Sequence, residues 1–100
     1  MDVLFATAAL ERRYRNQAEA QKAWGEKVAR RYVQRVDALY EAETAADLFA
    51  LRALRLHALK GRRHGQHAMR LDDSWRLVVR FEGERWRIVT VEEVSRHYGD

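Results

Sequence analysis

The side chains best suited to catalysis are a histidine and several cations in the second half of the chain. His57 precedes Lys60 by three positions, and Arg76 follows two nearby aspartates. A histidine titrates near neutral pH and can act as a general base or acid, whereas lysine and arginine can stabilise negative charge on a phosphate. Each residue also has a structural interpretation: His57 as a half-buried, hydrogen-bonded side chain, Lys60 as part of a turn, and Arg76 as an ion-pair partner of the aspartates. The spacing of His57 and Lys60 alone does not separate these interpretations.

Composition excludes several other kinds of site. The 100 residues contain no cysteine, which excludes disulfides, zinc ribbons and thiolate nucleophiles. The sequence has no glycine-rich phosphate loop and no Gly-x-Ser-x-Gly elbow. Its four histidines lack the matched carboxylates of a metal site. No apolar stretch approaches about 20 residues, and the N-terminus is unlike a signal peptide, so we expect a cytoplasmic protein with a single domain over residues 1–100.

Positive charge is concentrated in one part of the chain. Residues 52–80 contain eight Lys or Arg and two Asp, whereas the remaining residues contain eleven Lys or Arg and thirteen Asp or Glu. Such a segment is typical of a surface that binds a polyanion such as nucleic acid. A solvated basic surface explains the same pattern, and charge alone does not decide between the two.

A helical first half and a strand-rich second half must position these residues. Residues 3–5 are a candidate strand, and Thr7 can cap a helix that ends near residue 16. Apolar residues at helical spacing predict a longer helix over residues 18–42, in which Gly25 weakens the early part and is a candidate break. The segment from Thr44 to Asp47 resembles a capping box for a short helix through residue 51.

Beyond residue 55 the apolar period changes from helical to alternating. The alternation predicts strands at 56–59, 67–71, 75–81 and 86–92, with turns at 62–65 and 72–74 and a tight hairpin connection at 82–84. Strands joined by such short turns pair antiparallel. The sequence therefore predicts an α+β fold in which N-terminal helices pack on a C-terminal antiparallel sheet. We expect Trp75 and Trp86 on the apolar face of this sheet, and Arg76 and Arg80 on a solvated, basic face.

An ordered set of short motifs resembles the HigB-type toxins of the RelE/ParE superfamily. The family pattern has Leu-His-Pro-Leu-Lys-Gly, then a Gly followed by an aromatic residue, a short strand, and Asn-Trp-Arg leading into another strand. This sequence has Leu56-His57-Ala58-Leu59-Lys60-Gly61, Gly65-Gln66, Arg70 and Ser74-Trp75-Arg76-Leu77. Ala58 stands in place of the Pro, His67 stands near the usual aromatic, and Ser74 replaces the Asn. The helical first half agrees with the family in order and length.

The resemblance implies a fold, an activity and a partner. Such toxins cleave mRNA in the ribosomal decoding site without a metal or cofactor, and an antitoxin protein, often with a DNA-binding helix-turn-helix, neutralises them. The active-site residues that carry over are His57, Lys60 and Arg76. Many relatives end in Asp-Tyr-His directly after the last strand, whereas here His97 and Tyr98 are displaced and in reverse order. Either His97 or Tyr98 replaces the family's C-terminal catalytic residue, or that residue is missing.

Metal-independent RNA cleavage needs three functions that these residue types can supply. The 2′-hydroxyl must lose a proton, charge on the pentacoordinate phosphate must be stabilised, and the 5′-oxygen must gain a proton. Lys60 and Arg76 suit the second function, and His57 and His97 are candidates for acid–base work. Further RNA-binding cations are expected among Arg62, Arg63, Arg70 and Arg80. The expected products are a 2′,3′-cyclic phosphate and a 5′-hydroxyl.

Two other functions remain open at this point. A ParE-like toxin has the same fold but poisons DNA gyrase by binding it; the Leu-His-x-Leu-Lys-Gly segment argues against this. A non-catalytic module that binds nucleic acid or an antitoxin is the second alternative, and the altered C-terminus is its best support.

Overall fold

The chain folds into a layer of helices on one face of a five-stranded sheet. In the computed structural model, which describes residues 1–96, the strand order is β1-β5-β4-β3-β2. The helices are α1 (Ala8–Arg15), α2 (Gln17–Trp24), α3 (Glu26–Glu41) and α4 (Ala45–Phe49). The strands are β1 (Asp2–Phe5), β2 (His57–Ala58), β3 (His67–Arg70), β4 (Trp75–Glu82) and β5 (Ile88–Arg96). This arrangement confirms the predicted α+β class.

Local capping decides where the first three helices begin and end. Thr7 Oγ1 accepts a hydrogen bond from the Leu10 N–H at 3.2 Å, and Asn16 Oδ1 accepts one from the backbone two residues ahead at 3.1 Å. Gly25 has a φ of 84°, a left-handed value that ends α2 and lets α3 start in a new direction. The predicted helix over residues 18–42 is therefore divided into α2 and α3, and the break lies at Gly25, where the sequence indicated one.

The fourth helix begins with the predicted carboxylate cap. Asp47 Oδ2 accepts hydrogen bonds from the N–H groups of Glu43 at 2.9 Å and Thr44 at 3.5 Å. The cap turns the chain out of α3, so that the buried Leu48 of α4 reaches the core. None of the helices within residues 1–96 is long and apolar enough to cross a membrane.

The sheet is mixed rather than wholly antiparallel. The pairs β2–β3, β3–β4 and β4–β5 are antiparallel, as predicted, whereas β1 pairs parallel with β5. A parallel pair needs a long connection, and here the whole helical layer lies between the two strands in sequence. The β4–β5 ladder shifts register between Val78 and Val79, so that Glu92 of β5 is the extra residue of a bulge.

The core lies between the helices and one face of the sheet. Tyr32 of α3 is fully buried and donates a hydrogen bond through its hydroxyl to the Leu10 carbonyl at 2.7 Å. The sheet contributes alternating residues of β3, β4 and β5, as the period of two predicted: Met69, Leu77, Val79, Phe81, Val89 and Val91. A smaller buried cluster of Leu59, Ala68 and Val78 includes the strand positions that alternate with this set.

The connection between β4 and β5 differs from the predicted tight hairpin. Gly83 is followed by a 3₁₀ turn at Glu84–Trp86, and β5 starts only at Ile88. Arg85 and Trp86 both have left-handed φ values, which coil the chain once more before the strand. Trp86, predicted to lie in the last strand and in the core, is instead 42% exposed and stacks on Phe81 with ring centroids 5.5 Å apart.

Candidate functional site

A cleft of about 570 Å³ opens beside the segment that enters β2, the end of β3 and the start of β4. It combines cations, two carboxylates, an imidazole and two apolar side chains. The lining residues are Arg55, Leu56, His57, Arg70, Asp72, Asp73, Trp75 and Arg76. Two of the three residues that the family motifs single out, His57 and Arg76, therefore lie in one cleft.

Strand register brings the cleft cations together. Arg70 of β3 pairs with Arg76 of β4, and Arg76 pairs in turn with Ser95 of β5. Side chains at directly opposed positions share a sheet face, with Cβ atoms about 4.5–5.5 Å apart. Two half-buried arginines at opposed positions bring positive charge together on one sheet face, an arrangement that suits an anionic ligand.

The orientation of His57 follows from a hydrogen bond to the backbone. Its Nδ1 lies 2.8 Å from the carbonyl oxygen of Arg55. A carbonyl only accepts, so Nδ1 carries the proton, and in the neutral ring Nε2 is the nitrogen that can take one up. Arg55 has a left-handed φ of 51°, which places its carbonyl within reach of the ring. The exposed imidazole is thus presented to solvent in a defined tautomer.

The turn between β3 and β4 forms one wall of the cleft. Asp72 Oδ1 accepts hydrogen bonds from the N–H groups of Ser74 and Trp75, both at 2.8 Å, and so closes the turn. Asp73 forms an ion pair with Arg70. The Trp75 ring packs against the core and lies 5.2 Å from the guanidinium carbon of Arg96. The two aspartates therefore shape the wall and hold one of its cations.

Lys60 lies apart from the other two motif residues. It is exposed, follows β2 at the end remote from Arg55, and does not line the cleft. Its carbonyl accepts a hydrogen bond from the Arg63 N–H at 3.2 Å, which starts the 3₁₀ turn at Gly61–Arg63. Arg62 is exposed in the same turn. The structure therefore groups His57, Arg70 and Arg76 and places Lys60 and Arg62 on an adjoining surface.

Two of the expected RNA-binding arginines form ion pairs with strand β5. Arg80 Nε lies 3.3 Å from a carboxylate oxygen of Glu92, and Arg63 pairs with Glu93. Gln66 links the two pairs, since it accepts a hydrogen bond from Arg63 at 3.0 Å and donates one to Glu92 at 3.0 Å. This part of the sheet, predicted to be solvated and basic, carries charges of both signs.

Three further residues from the sequence analysis, His67, His97 and Tyr98, are not among the described residues that line the cleft. His67 is buried, in edge-to-face contact with Phe49, Phe81 and Trp86. Burial is the main cause that lowers the pKa of His67, and the nearby imidazole of His57 lowers it further. His97 and Tyr98 lie outside the described residues, which end at Arg96, opposite Trp75 in the ladder.

Sequence reasoning did not single out Arg55, Asp72 or Asp73 as parts of the site. His57 pairs with Ala68 in the antiparallel ladder of β2 and β3. Arg55 precedes His57 by two residues and Arg70 follows Ala68 by two, so the two arginines come to the same end of this strand pair. No pattern in the sequence indicates this, because the register is a property of the paired strands. Asp72 and Asp73 lie in the predicted turn, but the cleft wall they form depends on strand pairing.

Comparison with known proteins places the fold. No family model matches the sequence, and no curated protein matches it. The structure of the YoeB/ParE toxin from Agrobacterium tumefaciens is similar, with a TM-score of 0.59 at 16% identity over 98% of this chain and 100% of that chain.

Two further solved structures show the same likeness. The YoeB–YefM complex from Staphylococcus aureus gives a TM-score of 0.59 at 16% identity over 98% of each chain. YafQ from E. coli strain BL21(DE3) gives a TM-score of 0.53 at 12% identity over 95% of this chain and 91% of that chain. At such identities the likeness concerns the arrangement of elements. This chain therefore has the α+β fold shared by the YoeB/ParE and YafQ toxins.

Proposed function

We propose that this protein is the toxin of a toxin–antitoxin system, and that it cleaves mRNA on the ribosome by metal-independent attack of the 2′-hydroxyl, as the HigB-type motifs imply. The observation that carries the proposal is that the imidazole of His57 and the side chains of Arg70 and Arg76 line the same cleft. The shared fold and the matching motifs support it independently.

The cleft suits the transition state of this reaction. Arg70 and Arg76 stand on neighbouring strands, so both guanidinium groups can contact one phosphate. Nε2 of His57 is the proton acceptor of the neutral ring, which fits a general base for the 2′-hydroxyl. Protonation of the leaving 5′-oxygen falls to His97 or Tyr98 in this proposal. Leu56 and Trp75 give the cleft apolar surface for a base or ribose.

Residues outside the cleft contact the RNA farther along its backbone. Lys60 and Arg62 are exposed at the other end of β2, where they meet phosphates beside the scissile one. Arg63 and Arg80 bind RNA by exchanging a carboxylate of β5 for a phosphate. Lys60 is thus proposed as a cation that contacts a phosphate next to the reacting one when RNA is bound.

The proposed partner is a neighbouring antitoxin protein. One of the similar structures is a complex of a toxin with YefM, and the charge pattern of residues 52–80 favours an acidic segment of the partner. The charge pattern does not define the partner's fold, so the helix-turn-helix expected from the family motifs stays part of the proposal.

The decisive experiment maps RNA ends after a short pulse of expression. We expect growth arrest, cuts within translated mRNA, and a 2′,3′-cyclic phosphate and a 5′-hydroxyl at each cut. Purified protein should make the same cuts on programmed ribosomes. Intact mRNA together with accumulated gyrase–DNA cleavage complexes would support the ParE-like alternative instead. Harmless expression of folded protein would contradict a toxin of either kind.

A further inference from the structure

The helical layer contacts the cleft through two arginines of α3. Arg31 donates a hydrogen bond from Nη1 to the Leu71 carbonyl at 2.7 Å. Arg35, one helical turn later, donates from Nε to the Arg70 carbonyl at 3.3 Å. Residues four apart share a helix face, so the two guanidinium groups reach consecutive carbonyls of one segment, residues 70–71, where β3 passes into the turn.

Burying two positive charges near each other costs free energy, which argues that the hydrogen bonds of Arg31 and Arg35 have a structural role. Both side chains are half-buried. Burial lowers the pKa of Arg35, and the charge of Arg31 lowers it further. A guanidinium remains charged in proteins, so its desolvation and the repulsion between the two charges lower the stability of the folded state. Hydrogen bonds from a charged donor to a buried carbonyl are among the stronger ones, and they offset part of this cost.

The segment held by the two arginines is part of the candidate site. Arg70 and the two aspartates that follow Leu71 line the cleft. Asp72 closes the turn that leads to Trp75 and Arg76. A shift of residues 70–71 would therefore move the Arg70 guanidinium and the cleft wall relative to Arg76.

We propose that Arg31 and Arg35 are positioning residues, which hold the β3–β4 turn so that Arg70 and Arg76 face the same phosphate. The inference rests on the proposed RNA cleavage for its functional part, whereas its structural part concerns the turn alone. Neither arginine lines the cleft, so neither is a catalytic residue.

Two measurements on the full chain test the two parts separately. The variants are Arg31→Met and Arg35→Met, alone and combined, because methionine keeps much of the aliphatic stem while removing the donors. Arg31→Lys and Arg35→Lys each restore one charged donor. Arg30→Met is the matched control, since Arg30 lies on the same helix, is exposed, and forms its ion pair within residues 1–96 with Glu26 at 3.8 Å.

The first measurement is amide hydrogen exchange by NMR at Ser74 and Trp75, normalised to Val79 in the middle of β4. In the double Met variant we expect exchange at these two amides to be faster by about tenfold or more, because the turn opens locally. Arg30→Met should leave it unchanged. Unchanged exchange in the double variant overturns the proposal, whether or not the protein cleaves RNA.

The second measurement is mRNA cleavage on programmed ribosomes. The double Met variant should lose about tenfold or more in kcat, with KM changed by less than about twofold, because the cations are present but misplaced. The Lys variants should recover most of the rate. Full activity with an opened turn overturns the functional part. Inactive wild-type protein refutes the proposed function instead, and the exchange measurement then still decides the structural part.

Discussion

The neutral ring of His57 has one nitrogen committed to the Arg55 carbonyl, and this commitment limits what the residue can contribute. Nδ1 cannot accept a proton while it donates, so any proton transfer passes through Nε2. Arg70 is likewise committed in part, because it pairs with Asp73. At the scale of single residues, the cleft therefore offers Nε2 of His57 as a proton acceptor, beside arginines with different surroundings.

Arg76 should matter more for cleavage than Lys60. Loss of a group that stabilises charge only in the transition state costs about 100- to 1,000-fold in rate, and we expect Arg76→Ala to show a loss of this size. Lys60→Ala should cost less, because Lys60 does not line the cleft. Single-turnover cleavage on programmed ribosomes measures both, with folding checked by circular dichroism. Arg87→Ala, an exposed arginine before β5, is the charge-matched control. Full cleavage by folded Arg76→Ala would remove the proposed site.

The acid–base pair can be tested by one substitution and one truncation. His57→Gln should slow cleavage by about 100-fold or more, because general base catalysis typically contributes this much. Truncation after Arg96 removes both His97 and Tyr98, and a loss of similar size is expected if one of them protonates the leaving group. The same single-turnover assay applies, with RNA binding measured separately to show that substrate still binds. If truncation leaves the rate intact, the acid lies elsewhere in the chain.

His67 should make the fold less stable in mild acid. Its pKa is lowered in the folded state, so the unfolded chain binds the proton more tightly. The stabilisation is complete above the unfolded pKa of about 6.5, and it is lost as pH falls below that value toward the folded pKa. Urea unfolding at pH 7.5 and pH 5.5 measures the effect. His67→Phe cannot titrate and should show a smaller loss between the two values; an equal loss would assign the pH dependence to other groups.

At the scale of elements, short connections carry much of the geometry of the site. The turn at residues 71–74 forms the cleft wall, the loop between β2 and β3 presents Lys60, and the bulge at Glu92 brings two adjacent carboxylates to Arg63 and Arg80. Helix α3 supports the first of these connections from the core side. Substitutions in the connections should therefore affect the site more than substitutions within exposed helix surfaces.

Two glycines with left-handed φ allow a matched test of the β2–β3 loop. Gly65 has a φ of 95°, and a Cβ added there would lie 2.7 Å from Arg80 Nη1, whereas a Cβ at Gly25, with a φ of 84°, meets nothing within 4 Å. Gly25→Ala should cost only backbone strain, about 1–3 kcal/mol of unfolding free energy, because a φ of 84° with a ψ of 165° is nearly restricted to glycine. Gly65→Ala should cost more, because it also displaces Arg80 from Glu92. Urea unfolding of both variants gives the comparison. Equal losses would show that Arg80 moves aside without cost.

At the scale of the molecule, the helices cover one face of the sheet. The cleft lies where β3 ends and β4 begins. The net charge of +4 conceals a strongly basic middle segment and a slightly acidic remainder. Part of the basic segment is neutralised locally by Asp73, Glu92 and Glu93. The field that a nucleic acid meets should therefore be strongest at the cleft and at the Lys60 turn.

RNA binding should depend on salt, and the cleft should account for a defined share of that dependence. If Arg55, Arg70 and Arg76 together contact about three phosphates, they should contribute about −2 to the slope of the logarithm of the binding constant for single-stranded RNA against the logarithm of salt concentration. Cations outside the cleft, such as Lys60 and Arg62, should make the total slope steeper. Fluorescence anisotropy with a labelled RNA between 50 and 300 mM salt, about a sixfold range, is sufficient to measure this. Arg70→Met should make the slope shallower, and Arg30→Met should not. A slope near zero would contradict a phosphate-binding cleft.

Local patterns in the sequence were sufficient for much of the fold. Helical spacing, the caps at Thr7 and Asp47, and the alternation beyond residue 55 predicted most elements and the two-layer class, because each depends on neighbouring residues. The motifs also singled out His57 and Arg76 before the cleft that contains them was known. The overall charge pattern, in contrast, did not show which cations are paired.

The tertiary structure alone decided the features that depend on distant pairing. The parallel partnership of β1 with β5, the opposition of Arg70 and Arg76, and the salt bridges of Arg63 and Arg80 join residues whose separation in sequence carries no signal. The exposed position of Trp86 depended on two left-handed residues that are not glycine, a conformation that propensities disfavour. Sequence thus determined the elements and the residue types available for chemistry, whereas register and packing determined which of those residues meet, since cross-strand contact is a property of the assembled sheet.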